Sequence, residues 1–424
     1  MTDRAQPEPG FGVGEHGPIV TAQQAIQAPP VSWAAARQAS FEAGAARRCR
    51  EVELPLDEAD GAFLAAPLLA RTDLPAFATS SVDGWAVRGP APWRIVGRVL
   101  AGYPAPPLTD DGTCVEIATG GMVPAGTAQI VRTEDSARTA DQRITGAART
   151  QPEWRLPGEE AEAGEELFPA GTPVTPGLLG LAASAGYDAL SVRRPRAAVL
   201  IFGDELLSSG LPGTGRVRDA LGPSVPAWLR RLGALTSGPV GPIEDTLDAH
   251  VSALRQALAS GADLIATTGG TMRGPVDHLH PALAELGAEY VVNTVEVRPG
   301  FPMLLASLPS AGGGSVLVAG LPGNPQSATV ALVSLVAPAL LGLAGGALPE
   351  LPRIRLSAAV AGRGGYTHLA LVDRTGRPVP HVGSAMLRGL AGAVGFAVIP
   401  PGGDGAAGDE VALVPLPVLH GGRP

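Results

Sequence analysis

Apolar runs and helical periods alternate along the second half of the chain. Three apolar runs are typical of buried strands, at 197–201, 263–267 and 315–318. Helical spacing is found at 224–232, 248–260 and from about 278 to 286. Strands that alternate with helices predict an α/β domain with a doubly wound, mostly parallel sheet over residues 194–348. In such a sheet, ligands bind where the strands end.

The first half of the chain has a different pattern. Residues 31–48 have helical spacing, whereas from residue 77 short β-like runs occur at 85–87, 93–99 and 128–132. The chain is therefore predicted to be multidomain, with a flexible leader at 1–28, an elongated N-terminal domain at 29–75 plus 150–193, an inserted β domain at 76–149, the α/β domain at 194–348, and a C-terminal β domain at 350–418.

One long stretch of the sequence has no charged side chains. No charged side chain lies between Arg298 and Glu350, and residues 329–348 are apolar enough to resemble a membrane span. Pro338 interrupts the stretch, and no basic flank anchors it. We therefore expect a buried helix of the α/β domain and no membrane association.

Composition narrows the classes of function. The chain has 424 residues, of which 45% are hydrophobic and 17% charged, as in soluble globular proteins. Its net charge of −9 argues against a general nucleic-acid binder, because phosphate-backbone affinity needs concentrated cations. The sequence contains no lysine, so arginine carries all fixed positive side-chain charge. An anionic ligand therefore requires a local positive pocket.

The two cysteines, Cys49 and Cys114, are far apart and belong to no Cys/His metal cluster. Neither a disulfide nor a structural zinc site is expected. The N-terminal residues show no basic segment followed by an apolar run and a cleavage site. This pattern predicts a cytoplasmic protein.

Two glycine-containing turns follow predicted strands. Gly269, Gly270 and Gly274 allow close approach of the backbone, so that amides at the turn can bind the oxygens of phosphate or another oxyanion. The second turn continues into a predicted helix, and its candidate binding residues are Pro322, Gly323, Asn324 and Ser327. Each turn alone is equally well explained as a tight connection without a ligand.

A third turn, at Gly203, Asp204 and Glu205, is acidic. A Mg²⁺ ligand is one interpretation, and a helix cap or exposed turn is the other. Asp277 precedes a predicted helix and is either catalytic or an N-cap. His278 and His280 are separated by two positions, which does not place them on one helix face, so we expect surface residues rather than a metal pair.

These motifs, taken in order, resemble the molybdopterin molybdenumtransferase (MoeA-like) family, which is related to the E domain of gephyrin. The segment from Pro75 to Arg88, with Asp83 and Gly84, is similar to the family's P-x-F-x-x-S-x-M-D-G-Y-A-V-R. Six further matches are Thr119-Gly120 with Pro124, Gly158-Glu159 with 169–172, the acidic turn, each of the two glycine turns, and Gly383-Ser384 with Gly408-Asp409. The resemblance covers residues 30–416 and depends on the ordered set.

The resemblance implies a homodimeric enzyme that inserts molybdate into adenylylated molybdopterin and releases the nucleotide. It implies a molybdopterin-binding α/β domain, with Mg²⁺ held by Asp83, Glu205 and Asp277, the anions bound by amides near Gly269 and Gly323, and Thr119 near the pterin. Arg298 joins the three acids as a catalytic candidate. The family's site is shared across the dimer interface, and an upstream adenylyltransferase of the same pathway is an expected partner.

The chain also departs from the family pattern. Thr294 and Phe301 stand where the family has lysines, and only Arg298 keeps a cation in that segment. Glu160 and Leu221 replace an expected Asp and Asn. The alternative function is therefore a catalytically degenerate paralogue that binds a pterin or a partner protein without turnover.

Overall fold

The computed structural model describes residues 20–21, 29–272, 277–310 and 312–417. The chain divides into two compact units, one formed by residues up to 50 together with 194 onward, and the other by 51–193. Most of the expected leader and the candidate Gly274 lie outside the described residues.

The first compact unit begins with strands β1 (Val20–Thr21) and β2 (Val31–Ser32) and helix α1 (Trp33–Ala45). The Ser32 hydroxyl accepts a hydrogen bond from the amide of Ala35 at 3.3 Å, and so caps the helix. The helix predicted at 31–48 is confirmed, although it ends a turn earlier than its sequence pattern.

The second compact unit is built of short strands and one helix. Its elements are β3 (Glu51–Pro55), β4 (Phe63–Leu64), β5 (Leu68–Leu69), β6 (Thr79–Ser80), β7 (Gly84–Arg88), β8 (Arg94–Val99), β9 (Thr113–Ile117), β10 (Gln129–Arg132), β11 (Ser136–Arg138), β12 (Ile144–Gly146), β13 (Trp154–Arg155), β14 (Glu166–Phe168), α2 (Pro176–Ser184) and β15 (Ala189–Arg193). Its largest sheet has the order β10-β7-β9-β8. Trp85 and Val87 pack on one face of this sheet, and Ala86 on the other. The β domain expected in this region is confirmed.

The α/β part of the first unit follows. Its strands are β16 (Arg196–Phe202), β17 (Leu206–Leu207), β18 (Val217–Arg218), β19 (Leu235–Thr236), β20 (Val240–Ile243), β21 (Leu264–Thr268), β22 (Glu289–Val292), β23 (Val295–Arg298), β24 (Leu304–Pro309) and β25 (Ser315–Leu321). Its helices are α3 (Leu221–Arg231), α4 (Leu247–Ala259), α5 (Leu279–Glu285), α6 (Pro325–Ala331) and α7 (Ala337–Ala344), and a π-helical turn at Leu332–Val336 joins the last two.

The main sheet has the order β1-β22-β24-β25-β21-β16-β19, and β20 also pairs with β16. Strands β25, β21, β16 and β19 run parallel, with apolar clusters on both faces of the sheet. This confirms the doubly wound α/β prediction. Strands β22 and β24 add an antiparallel edge that the sequence pattern did not indicate.

Helix α3 begins three residues before its predicted start at Ser224. The Asp219 carboxylate accepts hydrogen bonds from the amides of Leu221 (2.9 Å) and Gly222 (2.8 Å). This oxygen acts as the cap for two amides that have no partner within the helix, so the first turn forms ahead of Ser224.

The uncharged segment Pro325–Ala344 is long and apolar enough to cross a membrane, and the most apolar 18-residue stretch within it is 89% buried inside the protein. The π-helical turn precedes Pro338, which lacks an amide donor and would crowd a regular helix at this point. Helix α1 packs against α7 at backbone distance. A β-carbon on Gly44 would lie 2.1 Å from the Ala339 carbonyl oxygen, and one on Gly342 would lie 2.2 Å from that of Phe41.

The remaining elements of the first unit are β26 (Arg353–Arg355), β27 (Thr367–Val372), α8 (Arg388–Gly392), β28 (Gly395–Ile399) and β29 (Glu410–Pro415). They form a six-stranded sheet of order β2-β23-β27-β28-β29-β26. The expected C-terminal β domain is therefore confirmed, and its sheet also recruits β2 and β23 from earlier in the chain.

Candidate functional site

The acidic turn and the two glycine turns follow three neighbouring parallel strands. Ile201 pairs with Thr268, and Thr268 pairs with Leu321, so the three strands end side by side. The Gly269 amide donates a hydrogen bond to the Leu321 carbonyl oxygen at 2.9 Å. Gly269 and Gly270 have φ values of 82° and 63°, a left-handed conformation that side chains rarely adopt. The strand ends therefore meet as a parallel sheet requires.

A cavity of about 1050 Å³ opens beside the two glycine turns. Eight sequence-predicted site residues line it: Gly269, Gly270, Asp277, Arg298, Pro322, Gly323, Asn324 and Ser327. Its wall also includes His368 of strand β27, and Arg363 and Tyr366 from the segment that precedes this strand. A volume of this size holds a ligand as large as a nucleotide.

Arg298 is brought to the C-terminal sheet by strand pairing. Strand β23 runs parallel to β27, with Val297 opposite Thr367 and Arg298 opposite His368. The guanidinium carbon of Arg298 lies 4.8 Å from the centre of the Phe301 ring and 4.4 Å from that of Tyr366. Such distances allow cation–π attraction. Within the described part of the chain, the guanidinium makes neither a hydrogen bond nor a salt bridge, so its donors are available to an anion.

Thr294 has a different position from its neighbours in the motif. Its hydroxyl hydrogen-bonds to the carbonyl oxygen of the preceding Asn293, and it is not among the residues that line the cavity. Phe301 does line it. Of the two positions where cations were expected from the resemblance, Phe301 therefore bears directly on ligand binding in this cavity.

The start of α6 already has a protein partner. The amides of Gln326 and Ser327 donate hydrogen bonds to the Ser384 carbonyl oxygen at 2.9 and 3.3 Å, and the Gly383 amide donates to the Gln326 side chain at 3.2 Å. Because these helix amides are engaged, an anion would have to displace Ser384 to bind them. The Gly-Ser motif near the C-terminus thus belongs to the cavity wall.

Asp83 and Thr119, from two different motifs, are in direct contact in the second unit. One oxygen of Asp83 accepts hydrogen bonds from the Thr119 amide (2.7 Å) and hydroxyl (3.0 Å). The amide, and to a smaller extent the hydroxyl, lowers the pKa of Asp83. The exposed carboxylate is therefore held in its charged form.

The other two acids lie in the first unit. Asp277 is half-buried in the cavity wall. Glu205 is exposed and lies outside the cavity lining, next to Asp204, which exchanges amide-to-carboxylate hydrogen bonds with Asp245 at 3.3 Å each. Among the described residues, no group of three His, Cys, Asp or Glu side chains is placed to hold a metal ion. The Mg²⁺ site remains a prediction.

His278 and His280, which were expected at the surface, are both half-buried. The His280 ring lies between the Tyr290 hydroxyl (2.7 Å) and the Thr271 carbonyl oxygen (3.3 Å). His280 therefore packs against the first glycine turn and connects it to strand β22. This structural role explains the burial of His280.

His250 was missed in the sequence and lies beneath the same turn. It is fully buried and stacks on Phe202 with ring centres 3.7 Å apart. Its Nδ1 hydrogen-bonds to the Thr246 carbonyl oxygen at 2.9 Å, and a β-carbon on Gly270 would lie 3.6 Å from its Nε2. Burial lowers the pKa of His250. Its place in the middle of a helical pattern carried no signal of this role.

Comparisons with known proteins agree with this architecture. The MoeA N-terminal region (domain I and II) matches residues 23–186, a probable molybdopterin binding domain matches 198–342, and the MoeA C-terminal region (domain IV) matches 353–416. Molybdopterin molybdenumtransferase of a Nostoc species is 30% identical over 316 residues, which are 70% of this chain and 71% of the relative. The Synechococcus elongatus protein of the same name is 31% identical over 303 residues, covering 68% and 74%.

Solved structures show the same fold. The MoeA protein from Pyrococcus horikoshii has a TM-score of 0.72 at 19% identity, covering 91% of this chain and 99% of its own. A molybdenum cofactor biosynthesis protein from Pyrococcus furiosus has a TM-score of 0.55 at 16% identity, with the same coverage. Together with the sequence matches, these results show that the chain belongs to the MoeA family of molybdopterin molybdenumtransferases.

Proposed function

We propose that this protein inserts molybdate into adenylylated molybdopterin and releases the nucleotide, in the biosynthesis of the molybdenum cofactor. The observation that carries the proposal is the cavity at the strand ends, which gathers both glycine turns, Asp277 and the free guanidinium of Arg298. Backbone amides and a guanidinium are donors suited to phosphate and molybdate oxygens. The supporting relatives at about 30% identity carry the name of this activity.

The residues have separate tasks in this proposal. Arg298 binds an anionic oxygen of the substrate, and the glycine turns let the backbone approach it closely. The carboxylates of Asp83, Glu205 and Asp277 are hard oxygen donors of the kind that hold Mg²⁺. When bound, Mg²⁺ would neutralise charge on the phosphoanhydride as the nucleotide leaves. The lowered pKa of Asp83 keeps that ligand ionised.

We further propose a homodimer in the cytoplasm. Asp83 and Thr119 belong to one compact unit, whereas Asp277 and Arg298 belong to the other. A second copy of the chain can supply the missing half of each site, because a two-fold dimer presents the same pair of surfaces twice. An upstream adenylyltransferase would supply the adenylylated pterin.

Complementation tests the proposal. Expression of the wild-type chain in a bacterial strain that lacks molybdopterin molybdenumtransferase should restore a molybdoenzyme activity. Asp277→Asn should not restore it, whereas Asp57→Asn, at an exposed position in the second unit, should. If the wild-type chain is produced in soluble form and restores no activity, the proposed reaction is wrong.

One observation favours the alternative, a paralogue that binds a pterin without turnover. Phe301, rather than a cation, lines the cavity, which leaves Arg298 as the fixed charge of that loop. A protein that binds a phosphorylated pterin and fails in complementation would support this alternative. Rescue at wild-type level would exclude it.

A further inference from the structure

We infer that Phe301 and Tyr366 form an aromatic platform for the planar nitrogen heterocycle of a phosphorylated ligand, with one ring stacked on the heterocycle and the other against its edge, while Arg298 binds its phosphate. This inference deepens the proposed function, because it assigns a specificity-determining part of that same cavity. The platform is defined here as the two rings of Phe301 and Tyr366.

The two rings of the platform contact each other. Their centres are 6.4 Å apart and their planes are inclined by 76°, an edge-to-face contact. Arg298 lies close to both rings, at 4.8 and 4.4 Å. The guanidinium is therefore oriented by the rings, and its hydrogen-bond donors stay available to an anion.

The side chain of Phe301 is partly exposed to the cavity. Phe301 is 36% exposed although it lies in a cavity wall. The preceding Gly300 has a φ of 122° and packs closely on the core, where a β-carbon would lie 2.7 Å from Met303 and 2.8 Å from Val330. The backbone thus packs into the core while the next side chain faces the cavity. A planar ligand that covered Phe301 would bury this apolar surface.

The charged side chains in the cavity wall indicate which kind of ligand the cavity binds. Its described wall contains two arginines, Arg298 and Arg363, and one acid, Asp277. Burial lowers the pKa of His368, which keeps that imidazole neutral near neutral pH. The cavity is thus locally positive in a chain of net charge −9. A cationic binding site for an anion and an aromatic surface together fit a heterocycle that carries a phosphate.

Binding measurements separate the stacking contact from the charge contact. Isothermal titration of the full chain would use AMP, neopterin monophosphate and ribose 5-phosphate, which has the phosphate without an aromatic heterocycle. Phe301→Leu and Tyr366→Leu should each weaken a stacked ligand about tenfold and leave ribose 5-phosphate unchanged. Arg298→Ala should weaken all three ligands. Phe301→Lys should strengthen ribose 5-phosphate and weaken the stacked ligand.

The control is Phe168→Leu, at a phenylalanine of similar exposure (38%) in the second unit, which should bind as wild type does. Thermal unfolding establishes that each variant is folded. A loss confined to AMP assigns the stacked ring to the adenine, and a loss confined to neopterin monophosphate assigns it to the pterin.

Two results would overturn the platform: wild-type affinity of both ring-bearing ligands in Phe301→Leu and Tyr366→Leu, or no binding of either ligand by the wild-type chain at millimolar concentration. The test is independent of turnover. If complementation fails while the binding pattern holds, the reaction is wrong and the platform stands.

Discussion

The carboxylate of Asp83 accepts two hydrogen bonds from Thr119 through the same oxygen, Oδ1. In the described part of the chain, Oδ2 takes no hydrogen bond. The pair therefore fixes one oxygen and presents the other, which is how an oriented carboxylate is prepared for a cation. Asp83 and Thr119 come from separate motifs, and their contact supports a common role.

The proposed shared site can be tested by mixing two inactive variants. Asp83→Asn and Asp277→Asn should each abolish molybdenum insertion. In a dimer that combines the two variants, one site receives both substitutions and the other receives neither. Because half of the dimers are mixed, co-expression should restore about a quarter of wild-type activity. Insertion would be measured in extracts with purified dimers.

The control for this experiment is a doubly substituted chain, Asp83→Asn with Asp277→Asn, co-expressed with each single variant, which should give no activity. If mixed dimers form and stay inactive, the two acids act within one chain. A monomer that is active at micromolar concentration would remove the dimer from the proposal.

Removal of the Arg298 guanidinium should weaken anion binding. Arg298→Ala deletes a charged donor that faces the cavity, and a charge-assisted hydrogen bond contributes about 1.5–3 kcal/mol. We expect at least about tenfold weaker binding of molybdate, measured by calorimetry. Arg298→Lys keeps the charge but loses the planar stacking group, so its affinity for molybdate should lie between those of the wild type and Arg298→Ala. Wild-type affinity in Arg298→Ala would mean that the anion binds elsewhere.

The close contact between α1 and α7 predicts a large difference between two glycine substitutions. Gly342→Ala places a β-carbon 2.2 Å from the Phe41 carbonyl oxygen, and should lower the free energy of unfolding by about 1–3 kcal/mol. Gly180→Ala, at an exposed position in helix α2 with open space around it, should raise the free energy by about 0.5–1 kcal/mol. Urea unfolding followed by circular dichroism compares them. Equal effects would contradict the packing.

The buried His250 predicts a pH dependence of stability. Burial lowers its pKa in the folded state, so the unfolded chain binds the proton more readily. Its contribution to stability is therefore full above the ordinary histidine pKa, and falls as the pH drops from there toward the lowered value. His250→Phe keeps an aromatic ring against Phe202 and should reduce this loss, as measured by urea unfolding at pH 8 and pH 5.5.

The matched variant for this measurement is His381→Asn, at an exposed histidine whose φ of 57° asparagine also adopts. It should keep the wild-type dependence on pH. If His250→Phe loses as much stability as the wild-type chain between the two pH values, other groups account for the effect.

Much of the fold followed from local pattern. The strands that end at Phe202, Thr268 and Leu321 are buried, largely apolar runs followed by glycine-containing turns, and parallel pairing then brings their ends together. The antiparallel edge formed by Glu289–Val292 and Leu304–Pro309 could not be predicted in this way. Its partners are chosen by tertiary packing, which periodicity does not encode.

The candidate site was predictable to the same extent. The glycine turns and Arg298 lie in motifs, whereas Tyr366 has no local signal and reaches Arg298 only through the pairing of β23 with β27. Similarly, the chemistry of Gln326 suggested nothing about Ser384, since a helix start is capped by whichever carbonyl the fold delivers.

The π-helical turn at Leu332–Val336 determines which way the later residues of the helix face. Ser334 within the turn accepts a hydrogen bond from the Trp33 indole at 2.9 Å, and Gly342 meets α1 further along. Each residue of a helix rotates its successors by about 100°. Removal of one residue from the turn would restore regular winding there, carry Gly342 away from Phe41, and place the Pro338 ring against the preceding turn. The extra residue is therefore an angular spacer, and this helix tolerates substitution more readily than a change of length.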